Sequence, residues 1–203
     1  MSANEATSAS TQRVSTNSTE RTMHLFLTRG LLAIAWSAVF AAPSGSLTTA
    51  VTVGAGVLLV LYPLIDVGGS LIDARSQHGS ARQLLLADAA VSTVAAAALG
   101  VAATGSVANV FAVFGVWALI SGAAQLVVAL RRRAQLGNQW PMLLAGGVST
   151  IAGVAYIIVS GANHPSLMPL VIYTATGGVE FVVQAWLLAR RRRRPATPAL
   201  SAS

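Results

Sequence analysis

The sequence predicts an all-α, polytopic membrane protein: a bundle of six transmembrane helices arranged as three repeated hairpins, with both termini cytoplasmic. Three observations lead there. Hydrophobic residues make up 54% of the 203 and charged residues only 9%, against about 25% charged in soluble domains, and the mean hydropathy is +0.66. Six apolar runs each approach the roughly 20 residues that a helix needs to cross a hydrocarbon core about 30 Å thick. The 13 basic residues, all arginine, fall in the two tails, at the foot of the first run and on alternate connections between the runs. The chain has no cysteine, which excludes a disulfide framework and any thiolate metal or redox site.

Residues 1–22 are rich in Ser and Thr and are expected to form a disordered cytoplasmic tail, since they cannot bury a core. The transmembrane domain follows at 23–190. Its spans are expected at about Leu25–Ala42, Leu47–Leu71, Leu84–Ala103, Val107–Leu130, Trp140–Ser160 and Ser166–Ala189. Turn or charge signals separate them: Pro43-Ser44-Gly45, Ser76-Gln77-His78-Gly79, Thr104-Gly105-Ser106, the Arg131–Arg133 run, and Gly161-Ala162-Asn163-His164-Pro165. The hairpins are then about 25–71, 84–130 and 140–189, and residues 191–203 form a basic cytoplasmic tail. A cleaved signal peptide is the alternative for the first span, which follows Arg21 and ends in small residues. Its length and Pro43, directly after Ala41-Ala42, argue against that.

Orientation follows from the arginines. They lie in the N-terminal tail, at the foot of the first span, between spans two and three, between four and five, and after six. The three other connections, "APSGS", "TGS" and "GANHPS", contain none. By the positive-inside rule both termini are cytoplasmic, as an even number of spans requires. Arg131, Arg132, Arg133 and Arg190, Arg191, Arg192, Arg193, Arg194 are therefore expected to anchor helix ends at anionic lipid headgroups, at about 1 kcal/mol per residue. A nucleic-acid reading of the last run fails, because after Pro195 only "ATPALSAS" remains.

An internal repeat is visible. "DAAVSTVAAAALG" from Asp88 superimposes on "AGGVSTIAGVAYI" from Ala145, and "GVLLVLYP" from Gly56, "GVWALISG" from Gly115 and "GVEFVVQA" from Gly178 share a Gly-Val start. Small residues recur at helical spacing: Ser92, Ala96 and Gly100; Ala118 and Gly122; Ala145, Ser149 and Gly153; Thr174 and Gly178. In lipid such faces let backbones approach closely.

The patterns "WPMLLAGGVSTIAGVAYII" from Trp140, "YTATGGVEFVVQAWLLA" from Tyr173 and "FGVWALISGAAQLVVALRRR" from Phe114 resemble the HdeD-like acid-resistance proteins, small six-span proteins of the bacterial inner membrane. The resemblance covers about Arg29 to Arg190. The first hairpin departs most, with Pro63 where Gly122 stands in the second. The resemblance implies protection during acid stress and implies no enzyme activity.

An intramembrane ionisable residue is by default a functional hypothesis. Glu180 lies ten residues before Arg190, about 15 Å at 1.5 Å per residue and so near mid-membrane. The same reckoning gives similar depth to Asp66, Ser121, Ser92, Thr93, Ser149, Thr150 and Ser37, one polar position or pair in every span. No arginine or histidine is expected to reach that depth. Glu180 is therefore expected as a neutral acid, either cross-linking two helices through a hydrogen bond or, together with Asp66, exchanging a proton with one side of the membrane. Asp88 and Arg29 are expected nearer the inner surface as anchors, within reach of Arg82. His164, with an ordinary pKa of about 6.5, is the candidate pH sensor among the outer turns. Trp36, Trp117 and Trp186 are expected as packing or lipid-facing residues, and Trp140 in the interfacial aromatic belt.

No Ser/His/Asp cluster, His-Glu metal spacing or phosphate loop occurs, and "GAGVLL" from Gly54 lacks the third glycine and flanking strand of a dinucleotide site. The chain is expected not to be an enzyme and to need no cofactor or metal. Two functions fit: a non-enzymatic membrane protein contributing to acid or general stress tolerance, or a small proton-linked transporter or channel built on the polar layer. The bilayer is the expected partner, with homo-oligomers or other membrane proteins left open.

Overall fold

A computed structural model describes residues 3–44, 50–75, 77–136, 140–162 and 166–193. They form six α-helices: α1 Ala3–Ser44, α2 Val53–Ala74, α3 Gly79–Ala103, α4 Val107–Leu136, α5 Trp140–Val159 and α6 Met168–Arg193. Among the described residues there is no strand, only an isolated antiparallel bridge between Ala50 and Ser106. Five segments are long and apolar enough to cross a membrane, Met23–Ser44, Val53–Ala74, Gly79–Ala103, Val107–Val127 and Met168–Arg190, and α5 carries a shorter apolar stretch, Leu143–Val159. This is a multi-pass membrane protein.

Helix ends follow local chemistry rather than the edges of the apolar runs. Thr52 caps α2, its hydroxyl accepting from the Ala55 amide at 3.3 Å, so α2 starts later than the hydropathy suggests. α3 starts earlier, at Gly79, whose φ of +59° suits the only residue type without a Cβ penalty. Pro169 occupies the first turn of α6, where its missing amide costs nothing. α1 reaches back to Ala3 through the stretch expected to lack structure; between Ala3 and Arg29 neither Pro nor Gly interrupts the helix.

At the level of the backbone each helix lies beside two others, and these neighbours close a ring in chain order, with α6 returning to α1. The ring is uneven. α2 with α3, α4 with α5, and α1 with α6 make the extensive contacts, while α1 with α2, α3 with α4 and especially α5 with α6 touch less. The helices joined as expected hairpins are thus the looser neighbours. Backbone approach accounts for two of the three close pairs: a Cβ on Gly115 would lie 2.8 Å from the Gly153 carbonyl oxygen, one on Gly122 2.5 Å from the Thr150 amide, and one on Gly30 2.7 Å from the Gly178 carbonyl oxygen, whereas between α2 and α3 a Cβ on Gly56 would meet the Ala103 side chain, at 3.2 Å. Without a hydrophobic drive between helices, such glycine contacts supply the packing.

The axis of the ring is filled by aromatic side chains over part of its length. Tyr62 meets Trp117 edge-on at 5.7 Å, Phe114 meets Tyr173 at 5.5 Å and Trp117 at 5.2 Å, and Trp36 stacks on Phe40 at 4.6 Å. Beyond this layer, away from the arginine-bearing ends, Leu59, Leu99, Val107, Val110 and Leu167 are fully or almost fully buried. That end is also sewn together: the Ser166 hydroxyl and the Leu167 amide both donate to the Ser44 carbonyl, at 2.9 and 3.3 Å.

Candidate functional site

On the arginine-bearing side of the aromatic layer the ring encloses a chamber of about 540 Å³ to which all six helices contribute. It extends from Tyr62, Trp117 and Tyr173 to Asp73 and Gln77, at the connection between α2 and α3. Each helix enters with the half that leads toward an arginine. Alternation of chain direction therefore gathers Asp66, Asp88, Ser121, Ser149 and Glu180 into one space.

One hydrogen-bonded network crosses four helices. Arg29 of α1 forms an ion pair with Asp66 of α2. The other Asp66 oxygen accepts from the Ser92 hydroxyl of α3 at 2.8 Å, and Ser92 in turn accepts from the Trp117 indole N–H of α4 at 3.2 Å. Beside it, the Ser70 hydroxyl donates to Asp88 at 2.7 Å. Gly69 makes the ion pair sterically feasible, because a Cβ there would lie 2.6 Å from the Arg29 side chain. The Arg29 guanidinium also sits 4.8 Å from the centre of the Phe181 ring of α6, within cation–π range.

Arg29 and Asp88 thus differ from the surface anchors expected of them. Counting residues from the membrane edge gives depth but not rotation, and the helix turns Arg29 inward, against Asp66 and Phe181. Asp88 pairs with Ser70 rather than with Arg82, which is exposed. A cation does reach the polar layer.

The other expected positions separate. Ser149 accepts from the Tyr173 hydroxyl at 2.9 Å on the chamber wall, joining α5 to α6. Ser121 also lines the chamber, and its buried hydroxyl oxygen has no hydrogen-bond partner. Glu180 lines the chamber, half-buried, and among the described residues forms no hydrogen bond or ion pair, so the inter-helix cross-link expected of it is not made there. Thr93 and Thr150 do not belong to the chamber. Each donates to the carbonyl four residues earlier in its own helix, Ala89 and Gly146, at 2.7 Å, and Thr93 is exposed. Ser37 is buried between α1 and α6, 2.8 Å from the Thr174 hydroxyl.

His164 and Arg194 lie outside the described residues. The backbones of Arg131–Arg133 and Arg191–Arg193 continue α4 and α6, with their side chains outside the described part. Arg190 is exposed and lies 3.9 Å over the ring of Trp186. Among the described residues no three His, Asp or Glu side chains are placed to hold a metal ion. Sequence spacing missed Arg29 and the aromatic pair Tyr62 and Tyr173 as chamber residues; the pairing of Arg29 with Asp66 across two helices leaves no local signal.

Residues 89–158, from α3 into α5, match a family described as a short repeat of unknown function (DUF308). That stretch, about a third of the chain, contains most of the closely packed α4–α5 pair. No match was found among curated proteins or solved structures.

Proposed function

We propose that the protein is a non-enzymatic protein of the inner, cytoplasmic membrane, with both termini cytoplasmic, that contributes to acid or general stress tolerance through its central chamber. The observation that carries this reading is the Glu180 carboxyl, on the chamber wall without a partner, in a space that runs to the arginine-bearing end. With the arginines inside, Glu180 exchanges protons with the cytoplasmic side. Among the described residues Arg29, Asp66, Asp73, Asp88, Tyr62 and Tyr173 are the other ionisable groups facing that space, and Arg29 and Asp66 neutralise each other. The resemblance to HdeD-like proteins supplies the link to acid stress, and the DUF308 match supports the resemblance at the level of the wider family.

The test compares survival at low external pH in cells carrying wild type, Glu180→Gln, Glu180→Leu or no protein. Loss of protection in Glu180→Gln, with normal membrane insertion, is expected. Wild-type protection by Glu180→Gln would make the residue structural.

Proton-linked transport is the second reading. It is favoured by the places of Gly56, Gly115 and Gly178, which head the repeated segments and approach α3, α5 and α1 respectively; repeats that build a central site are common in transporters. It requires the aromatic layer to open. A pH-jump flux assay in proteoliposomes separates the two: flux in wild type, absent in Glu180→Gln, selects transport.

A further inference from the structure

We propose that the chamber is a binding site for a small organic ammonium ion, its charge facing Glu180 and Asp88 and its apolar part against the aromatic floor formed by Tyr62, Trp117 and Tyr173. The proposal rests on the reading of the chamber as the working part of the protein.

Volume is the first argument. About 540 Å³ falls within the range of pockets that hold small molecules, and a proton needs no such space.

Charge sets the sign of the ligand. Among the described residues the one cation on the chamber wall, Arg29, is committed to Asp66, whose second oxygen is held by Ser92. Asp88, held by Ser70, and Glu180, held by nothing, form no ion pair. An anion entering the chamber would find carboxylates and no available cation. A cation would find two acceptors.

The floor sets the kind of cation. Tyr62, Trp117 and Tyr173 line the chamber, and aromatic faces attract ammonium groups that have shed water. Walls such as Leu85, Val91 and Ile120 suit alkyl carbons rather than the water shell of an inorganic ion.

The experiment is calorimetric titration of the full-length protein in detergent with butylammonium, methylammonium and, as the isostere of opposite charge, butyrate. Butylammonium is expected to saturate, methylammonium to bind more weakly, and butyrate not to bind. Glu180→Gln and Asp88→Asn should each weaken butylammonium by at least about tenfold, while Thr93→Ala, outside the chamber, leaves it unchanged. In wild type, butylammonium should slow modification of Glu180 by dicyclohexylcarbodiimide, a readout that depends on no variant folding. Absence of saturable butylammonium binding, equal binding of butyrate, unchanged binding by a folded Glu180→Gln, or absence of protection overturns the proposal. Loss of acid protection in Glu180→Gln without butylammonium binding to wild type would remove the ligand and leave the proton reading standing; binding without any acid phenotype would do the reverse.

Discussion

Replacing Gly153 with Ala should loosen the most closely packed pair in the ring. A Cβ at that position would lie 2.4 Å from the Leu119 amide nitrogen, 2.8 Å from the Leu119 Cα and 2.7 Å from the Gly115 carbonyl oxygen. All three are backbone atoms, so no side chain can swing aside. Ordinary contact begins near 3.4 Å, and α4 and α5 must therefore separate by about 1 Å. Overpacking of this kind costs about 1–3 kcal/mol. In water, better helix propensity would return about 0.5–1 kcal/mol, but a span in a micelle stays helical when the bundle comes apart, so little of that gain remains. A net loss of about 1–2 kcal/mol follows. Gly147→Ala is the control: nothing lies within 4 Å of its Cβ, and it should stay within about 0.5 kcal/mol of wild type. Reversible unfolding in mixed dodecylmaltoside and dodecyl sulfate micelles, followed by circular dichroism, measures both. Equal stabilities for the two variants would refute the argument that glycine contacts hold the pair together.

Arg29→Met removes the partner of Asp66 where the two side chains are only 14% and 23% exposed. Breaking a buried pair costs about 3–5 kcal/mol, and the residual exposure of both side chains lowers this to about 2–3 kcal/mol. Arg29→Met/Asp66→Leu should recover most of the loss in a double-mutant cycle. Ser121→Ala should be neutral or stabilising by up to about 1 kcal/mol, because it deletes a buried hydroxyl that has no partner; thermal unfolding in micelles reads the sign. The absence of native cysteine makes topology directly measurable: Thr104→Cys and Gln77→Cys should react with an impermeant maleimide from opposite faces of the membrane.

The spans were legible because hydropathy reports what lipid demands of a helix. α3 ends at Ala103 and α4 begins at Val107, as the apolar runs imply. Helix ends set by caps were less so: Thr52 shortens α2 by a hydroxyl contact that hydropathy does not weigh. That Glu180, Asp66, Ser121 and Ser149 lie near one another in height was legible, since counting along a helix fixes relative height, and the four line one chamber. Rotation was not. Thr93 lies one residue from Ser92 and yet points away from the chamber, about 100° around the helix. Arg29, read as an anchor from its distance to the membrane edge, turns inward because Gly69 leaves it room. Helix pairing also escaped the sequence order: backbone approach at glycine brings α4 to α5 and α1 to α6, and the length of a connecting turn does not report it.

The pairing of α1 with α6 bears on synthesis at the ribosome. α2 and α3 can pack as soon as both have entered the membrane, and α4 and α5 likewise. α1 must wait for the last span. Until then Gly30, Ser37 and the Arg29 side chain have no α6 to meet, and Phe181 and Thr174 are not yet made. Contacts of such sequence separation form late, so the nascent chain holds an open helix edge through most of translation, a natural place for an insertion chaperone to bind and for truncated chains to be recognised and degraded.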